Sequence, residues 1–506
     1  MLLKVKNIPI GTGDIVIAVL CEQDATHMDL QPEDRILLKH KGKSIVATVD
    51  IIKKNNNTKK NYKQEMLTRG QIGLFLEAQY ALNINSGETI EISTAQKPIS
   101  LQYIKKKLEG KRLTSKELHI LVQDIINKNL SDVELAYFVA GSYLQHMDMA
   151  EVTALTEAMV HSGDILKLPQ HIIVDKHCIG GVAANRTSIL IVPILAAAGL
   201  TIPKTSSRSI TSAAGTADTV EVLCPVVFNL DRMKEIIMKT GGCLVWGGAM
   251  SLAPADDKII QVEHPLSIDP TGQLLASIMA KKKSVSATHV LIDIPVGRGA
   301  KITDMKEAIK LKKMFEELAR RLHMKVAVIT TDGSQPIGNG IGPSLEARDV
   351  LWTLKNSSKG SIILKNKSIY MAGVLLELTG KAKKGKGEEI AREIVETGKA
   401  YQKFMEIIKA QGGTIKKPEE IRLAKKSQTI FAKKTGIITH IDNGTINKIA
   451  RIAGAPHDKE AGVYLHYHKG AHVKKGDKLF TLYSDSQERL DYALETIKKI
   501  DGIEIR

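Results

Sequence analysis

Residues 171–190 read HIIVDKHCIGGVAANRTSIL, and residues 201–223 repeat their plan as TIPKTSSRSITSAAGTADTVEVL. Each segment begins with a short apolar run, continues into a turn rich in Gly or Ser, and ends in a helical pattern. The strand-and-turn part recurs in THVLIDIPVG (288–297) and KVAVITTDG (325–333). This alternation is typical of an α/β domain, which we place at residues 169–411. Ligands of such sheets bind beyond the carboxyl ends of the strands, where all four turns fall.

Three further segments complete the predicted organisation. Residues 1–92 alternate apolar runs with polar turns and predict an N-terminal β-rich, barrel-like domain. Residues 93–168 change to helical periodicity and predict a helical domain, which we expect also to take in about residues 255–285. Residues 412–506 predict a structural C-terminal α+β domain. The predicted fold class is therefore multidomain α/β. Capping sequences in the helical segment pair Thr114 with Glu117, Ser131 with Glu134, and Asp148 with Glu151.

The chain is basic, with 72 Lys and Arg against 55 Asp and Glu and a formal net charge of +17. A basic balance favours anionic partners such as phosphate esters or nucleic acid. Aromatic residues make up only 4%, which argues against a base-stacking platform for single strands. The basic runs lie in separate places, which favours a solubilising surface for much of the lysine. We therefore expect no nucleic-acid partner, and a nucleic-acid-binding protein is the remote alternative.

The cysteines and apolar runs predict a cytoplasmic protein. None of the four cysteines forms a C-x-x-C pair, so reduced thiols are the simplest interpretation. The longest apolar run, Ile189 to Leu200, contains Pro193 and is far shorter than the ~20 residues that a bilayer requires. The N-terminus lacks the pattern of a signal peptide. We expect no membrane partner.

The first turn combines glycine with a cation. Gly180 and Gly181 let backbone N–H groups approach an anion closely, and the helix that follows adds partial positive charge. Lys176 supplies a full charge. A tight turn without a ligand is the alternative, and the G-K-[ST] ending of a Walker loop is absent. Donors at the predicted helix start are Asn185, Thr187 and Ser188.

The second turn is crowded with hydroxyls and holds one cation. Arg208 can bind an oxyanion through two parallel hydrogen bonds. Hydroxyls in such a turn can equally act as helix caps. Two turns of this kind at neighbouring strand ends would surround one phosphate.

Five motifs carry a resemblance to a known family. SSRSITSAAGTADTVE (206–221) resembles the signature of the thymidine/pyrimidine-nucleoside phosphorylases, and VDKHCIGGV (174–182) resembles their phosphate loop. The chain departs from the family at Ser209, where Gly or Ala is usual, and at Cys178, where serine is usual. The resemblance covers about residues 95–505. The other three motifs, in the expected order, are SLAPADDKIIQVEHPLSIDP, LLASIMAKKKSV and TDGSQPIGNGIGPSLEARDVL.

The resemblance implies phosphorolysis. Inorganic phosphate attacks the sugar C1′, the base leaves, and a pentose 1-phosphate forms. Because the nucleophile is already an anion, it needs positioning rather than a general base. Inorganic phosphate is the co-substrate, and no metal or organic cofactor is implied. The implied phosphate-binding residues are Lys176, Gly181, Ser188, Ser206, Ser207, Arg208, Ser209, Ile210, Thr211, Ser212 and Thr216.

The leaving base needs a proton or a hydrogen bond as the glycosidic bond breaks. By resemblance, Asp269 is the first candidate acid, provided that burial or neighbouring carboxylates raise its pKa. His177 is the second, because an imidazole can give up a proton near neutral pH. Ser277 and Lys281 lie one helical turn apart and by resemblance hold the base or sugar, together with Lys301. Lys281 could instead be one of three consecutive surface lysines.

The motifs define the substrate less closely than the reaction class. Pyrimidine-specific members carry an Arg in the stretch that matches IIQVEHPLS, and here the matching position is Val262. The N-terminal segment and the motif GPSLEARDVL resemble those of the type 2 branch of the family, which includes archaeal AMP phosphorylases. Thymidine or a pyrimidine nucleoside is our first expectation and a nucleoside 5′-monophosphate the alternative. A phosphoribosyltransferase of similar design is a further alternative. A homodimer or larger homo-oligomer is implied by resemblance.

Overall fold

The computed structural model describes residues 1–13, 15–53, 67–209, 212–263, 265, 268–414, 417–499 and 502–506. The chain divides into two compact units. The first comprises residues 1–109 with 123–138, and the second comprises residues 110–122 with 139–506.

Six strands of the first unit close into a barrel. The elements of this region are β1 (Leu2–Asn7), β2 (Ile17–Cys21), α1 (Glu22–His27), β3 (Arg35–His40), β4 (Lys43–Ile52), β5 (Gln71–Leu74), α2 (Leu76–Leu82) and β6 (Thr89–Thr94). The strand order is β1-β5-β2-β4-β3-β6, and β6 pairs back onto β1. Leu3 and Val5 of β1 are buried between exposed neighbours, as the period of two in a strand requires.

Four helices follow the barrel, and their starts agree with the predicted caps. They are α3 (Ser100–Leu108), α4 (Ser115–Ile126), α5 (Asp132–Gln145) and α6 (Met149–His161). Asp148 accepts the N–H of Glu151 at 2.8 Å, and the Glu151 carboxylate accepts the N–H of Asp148 at 3.1 Å. The same reciprocal bonds confirm the other two capping pairs, Thr114 with Glu117 and Ser131 with Glu134.

The four strand-like segments of the sequence become parallel strands of the second unit. The elements are β7 (Val174–Cys178), α7 (Thr187–Ala197), β8 (Ile202–Ser206), α8 (Thr216–Glu221), α9 (Leu230–Thr240), β9 (Gly242–Trp246), α10 (Pro254–Glu263), α11 (Thr271–Ser284), β10 (His289–Val296), α12 (Met305–Arg321), β11 (Lys325–Asp332), β12 (Gly340–Ile341), α13 (Pro343–Leu354), α14 (Ile362–Leu378), α15 (Gly387–Glu396) and α16 (Lys399–Ala410). Strands β11, β10 and β7 lie side by side, and β8 pairs with β9.

A parallel bridge between Ile173 and Thr201 connects these two groups of strands, so β7 and β8 are neighbours. Helix α7 is apolar on all sides and packs against α14 and α16, as a helix in the middle of a core must. In the same unit α11 packs against α6, where Gly272 lies against Met147 and Val152.

The described part of the C-terminal region includes two small antiparallel sheets and two α-helices. Its elements are β13 (Lys426–Phe431), β14 (Gly436–Ile441), α17 (Asn443–Ala453), β15 (Gly462–Leu465), β16 (His472–Val473), β17 (Lys478–Ser484), α18 (Gln487–Lys499) and β18 (Ile503–Ile505). The sheet orders are β12-β15-β17-β13 and β16-β14-β18. Because β12 belongs to the preceding region, its pairing with β15 fixes the C-terminal region to the rest of the second unit.

The predicted domain boundaries after residues 92, 168 and 411 stay predictions. Within the part of the chain that the structure describes, no helix is long and apolar enough to cross a membrane. Cys21, Cys178, Cys224 and Cys243 are all free thiols.

Candidate active site

Two loops meet at the carboxyl ends of β7 and β8. We call residues 179–186 the glycine loop and residues 207–215 the serine loop. Arg186 joins them, because its Nη1 donates to Thr216 Oγ1 at 3.1 Å and its Nη2 donates to the Ala214 carbonyl at 2.7 Å. The two loops are thus held side by side, as a shared phosphate site requires.

Arg186 is a site residue that the sequence reasoning missed. Its side chain is largely buried, and its Nε donates to Glu346, which also accepts from Thr219 Oγ1 at 2.6 Å. Burial raises the pKa of Glu346, although Arg186 beside it acts in the opposite direction. The available signal was a cation at the start of a helix, where the dipole disfavours positive charge unless a specific partner is present.

Lys176 lies beneath the glycine loop. Its ammonium group is buried and donates to Thr187 Oγ1 at 2.8 Å. Burial lowers the pKa of Lys176, although the nearby carboxylate Asp293 opposes this. The structure therefore places this charge under the start of α7, where it positions Thr187.

The surroundings of His177 disfavour its protonated form. Burial, together with Lys282 and Lys204, holds the pKa of His177 well below its usual range. The buried carboxylate of Asp175 pairs with Lys282 at 2.6 Å and lies 3.7 Å from Lys204 Nζ. Burial also lowers the pKa of Lys204 to about 7. The lowered pKa favours the neutral imidazole, so the role of His177 as the acid stays a prediction that its environment disfavours.

Arg208 has partners that the sequence did not predict. The oxyanion that it binds through two parallel bonds is the Glu221 carboxylate, with Nη1 and Nη2 at 2.9 and 2.6 Å from its two oxygens. Nη1 also lies 3.1 Å from Asp218 Oδ1, and the guanidinium stacks 4.9 Å over the Trp246 ring. The hydrogen bonds from Arg208 lower the pKa of Glu221 to about 2. Inorganic phosphate would have to compete with Glu221 for this side chain.

The serine loop is tightly folded by internal hydrogen bonds. Ser209 Oγ donates to the Ser212 carbonyl, and Ser212 Oγ donates to the Ala214 carbonyl at 2.8 Å. The N–H groups of Ser209 and Gly215 both donate to Asp218 Oδ2, at 2.7 and 2.8 Å. Ser209 and Ser212 therefore hold the loop in shape through its own carbonyls, whereas the N-cap position of α8 is Gly215, whose N–H is accepted by Asp218.

Ser206 is the serine whose hydroxyl is best suited to a phosphate oxygen. Its Oγ is buried and bonds to no described residue, and a buried hydroxyl without a partner is costly unless a ligand satisfies it. Ser207 uses its carbonyl to accept the N–H of Ala217 at 3.3 Å. Ser188 is buried in the first turn of α7. Two predicted phosphate residues, Ile210 and Thr211, lie outside the described residues.

At Gly181 the glycine loop lies close to the backbone of Lys301, in the segment that follows β10. It has a φ of +87°, and a Cβ at this position would lie 2.2 Å from the Lys301 backbone nitrogen. Lys301 forms an ion pair with Asp269. The structure thus joins the glycine loop, the predicted ligand-binding lysine and the predicted acid in one continuous arrangement.

Helices α10 and α11 contribute a second set of charges. Lys281 pairs with Asp256 at 2.6 Å and with Asp257 at 3.4 Å. Burial alone would lower the pKa of Lys281, but the two carboxylates together raise it. Ser277 is half-buried one turn earlier on α11. Lys281 is therefore held by carboxylates, which supports a positioning role over a solvated surface lysine.

Glu263 is the other site residue that sequence reasoning missed. It ends α10 beside Val262, and its Oε1 is buried without a partner among the described residues. Burial, with Asp269 and Asp256 nearby, raises the pKa of Glu263 to about 8. Its position six residues before Asp269 was visible in the sequence, but its burial was not.

A cleft of about 720 Å³ opens beside the two loops. Gly181, Ser212 and Lys301 line one side, and α17 lines the other with Lys448 and Arg451. The C-terminal region, predicted to be only structural, therefore contributes one wall of the cleft.

Three segments of the chain match known families. Residues 101–163 match the helical bundle domain of a glycosyl transferase family, and residues 170–401 match its α/β domain. Residues 437–504 match the pyrimidine nucleoside phosphorylase C-terminal domain.

Near full-length relatives share one name. The AMP phosphorylase of Pyrococcus furiosus is 46% identical, covering 99% of this chain and 97% of that protein. The AMP phosphorylase of Thermococcus kodakarensis is 44% identical over the same shares. AMP phosphorylase 1 of Archaeoglobus fulgidus is 45% identical, covering 98% of this chain and 95% of that protein.

Among solved structures, anthranilate phosphoribosyltransferase from Thermus thermophilus is similar in fold, with a TM-score of 0.51 and 19% identity. The match covers 61% of this chain and 99% of that one. A helical bundle, an α/β domain and a C-terminal domain together define a glycosyltransferase of the nucleoside phosphorylase type. The chain belongs to the thymidine/pyrimidine-nucleoside phosphorylase family.

Proposed function

We propose that the protein catalyses the phosphorolysis of a nucleoside 5′-monophosphate, with AMP as the first candidate. Phosphate attacks C1′, the bond from C1′ to the base nitrogen breaks, and the products are a free base and ribose 1,5-bisphosphate. The observation that carries the proposal is the 41–46% identity, over nearly the whole chain, to proteins named AMP phosphorylase. These relatives favour the nucleotide over thymidine, which was the first expectation from the sequence.

The proposed division of labour follows the geometry of the two loops. The glycine loop, Ser206 and the N-terminus of α7 hold inorganic phosphate, and Arg186 keeps the loops together. Asp269 is the residue that meets the leaving base, and Lys301 beside it orients its carboxylate. Lys281 pairs with two carboxylates and Lys301 with only one in the described residues, so we assign the contacts to base and sugar first to Ser277 and Lys301.

Other properties follow from the sequence and complete the proposal. We expect a homodimer or larger homo-oligomer in a reducing, cytoplasmic environment, consistent with four free thiols. Inorganic phosphate is the only co-substrate, and the reaction needs no metal or organic cofactor.

A substrate panel tests this function. Purified protein is incubated with AMP, CMP, adenosine, uridine or thymidine, with and without inorganic phosphate and in the presence of EDTA, and free base is measured. We expect phosphate-dependent base release from a nucleotide that persists in EDTA. Asp269→Asn should reduce it by about 100-fold or more, because a side chain positioned for proton transfer with the reacting group typically contributes 10²–10⁴, whereas Glu316→Gln at an exposed position of α12 should not.

The other outcomes each identify a different activity. Release from thymidine or uridine alone would establish a pyrimidine nucleoside phosphorylase instead. A requirement for magnesium and pyrophosphate would indicate a phosphoribosyltransferase. No phosphate-dependent release from any substrate would refute the phosphorylase proposal.

A further inference from the structure

The cleft beside the loops has two walls of different origin. One wall consists of Gly181, Ser212 and Lys301, which belong to the proposed phosphorolysis site. The other wall is α17, which presents Lys448 and Arg451. Among the described residues that line the cleft, three are cationic and none is acidic. Both walls of the cleft therefore carry cationic side chains, of which Lys301 is paired with Asp269.

Helix α17 is fixed to both loops by specific hydrogen bonds. Asn443 Oδ1 accepts the N–H of Ala183 in the glycine loop at 3.0 Å, and Asn447 Oδ1 accepts the N–H of Ala213 in the serine loop at 3.2 Å. Arg451 Nη1 donates to the Ser212 carbonyl at 3.2 Å.

Positions three or four apart on a helix share a face, so the same side of α17 that touches the loops carries Lys448 and Arg451. These two cations therefore have a defined position relative to the loops.

The charge of the substrate decides what this second wall can bind. Phosphorolysis brings one anion, inorganic phosphate, to the loops. A nucleoside is uncharged at neutral pH and brings no anion to the cations of α17. A nucleoside 5′-monophosphate carries a phosphate ester, which Arg and Lys both bind well. A volume of about 720 Å³ also lies within the ~300–1,000 Å³ typical of small-molecule sites.

We propose that Lys448 and Arg451 of α17 bind the 5′-phosphate of the substrate and thereby select nucleotides over nucleosides. This inference rests on the proposed function, because it assigns a second anion site within the same cleft. Specificity for the phosphate ester then comes from the C-terminal region, while the chemistry occurs on the loops of the α/β region.

Steady-state kinetics with matched nucleotide and nucleoside test the subsite. The wild type, Lys448→Gln, Arg451→Gln and the double variant are assayed with AMP and with adenosine at saturating phosphate. Each single change should lower kcat/KM for AMP about tenfold, mostly through KM, since a hydrogen bond to a charged group is typically worth that much. We expect the double variant to lose about 100-fold for AMP. For Lys448→Gln, which among the described residues removes no bond to either loop, the adenosine kinetics and the KM for phosphate should stay within about twofold, since neither involves the ester.

Two controls separate a binding role from a structural one. Lys434→Gln removes an exposed lysine of the same region that lies outside the cleft and should leave all parameters unchanged. Arg451→Lys should recover part of the AMP activity by restoring the charge.

Failures of the two proposals are distinguishable. If the wild type cleaves AMP but the Lys448 and Arg451 variants lose nothing, or lose AMP and adenosine turnover equally, the subsite is wrong and the proposed function stands. If the wild type cleaves no nucleotide at all, both are overturned.

Discussion

At the residue scale, Glu263 and Asp269 form a pair of carboxyl groups in contrasting environments. Asp269 forms an ion pair with Lys301. Burial raises the pKa of Glu263 to about 8, so this carboxyl is neutral at pH 7. Neighbouring carboxyl groups in contrasting environments are typical of acid–base sites. Glu263 is therefore the proton-bearing group next to the predicted acid.

The pH dependence of activity should report this proton. In the wild type, kcat/KM should fall as pH rises through about 8, because Glu263 then ionises and repels Asp269. Glu263→Gln is a permanent neutral donor and should lack that decline, while Glu316→Gln at an exposed position of α12 should retain it. The measurement is kcat/KM from pH 6 to about 9 for the three proteins. Superimposable profiles for wild type and Glu263→Gln would contradict the assignment.

The same proton has a consequence for stability. Because the folded pKa lies above the ordinary value of 4.5, the folded protein binds an extra proton between 4.5 and about 8. Stability should therefore decline as pH rises through this window. The Tm of the wild type relative to Glu263→Gln is expected to be lower at about pH 9 than at about pH 5.

At the element scale, the serine loop works because its two ends approach closely. A Cβ on Gly215 would lie 2.5 Å from the Arg208 carbonyl carbon and 2.6 Å from the Ser209 nitrogen, so no side chain fits there. The loop therefore closes on its own backbone and delivers Thr216 to Arg186 at the start of α8.

Gly215→Ala should open this closure and displace the loop. A displacement of about 1 Å at a positioned site can cost 100-fold in rate, so we expect the KM for phosphate to rise at least about tenfold. Gly11→Ala, whose new methyl group would meet no atom closer than 3.6 Å, should leave the kinetics unchanged. Phosphate KM values for both variants decide the matter, and an unaltered KM in Gly215→Ala would show that loop closure is not required.

The elements were easier to predict than their contacts. Periodicity located β7, β8, β10 and β11 because each strand imposes its own local pattern. The pairing of Arg186 with Glu346 was not predictable, since the two residues are 160 apart in the sequence. The contribution of α17 to the cleft was not predicted for the same reason, because Arg451 and Ser212 are 239 residues apart. Hydrophobic patterning specifies which face of an element is buried but not which polar groups meet there.

At the scale of the whole molecule, the position of the cations matters more than the net charge of +17. Lysines spread over the surface are largely screened beyond a Debye length of ~8 Å at physiological salt. Lys301, Lys448 and Arg451 instead converge on one cleft of the second unit. A concave site lined by one sign of charge concentrates an oppositely charged substrate and speeds its association.

Ionic strength should therefore affect nucleotide and nucleoside substrates differently. Raising NaCl from about 0.05 to 0.5 M at constant saturating phosphate should lower kcat/KM for AMP about fivefold, because the added salt screens attraction of the dianion. The uncharged adenosine should change by less than about twofold. In the Lys448→Gln/Arg451→Gln protein, the AMP response should flatten toward that of adenosine, since two of the three cations lining the cleft are gone. An equal salt response for both substrates in the wild type would contradict this prediction. It would show that the cations of the cleft do not speed the association of AMP.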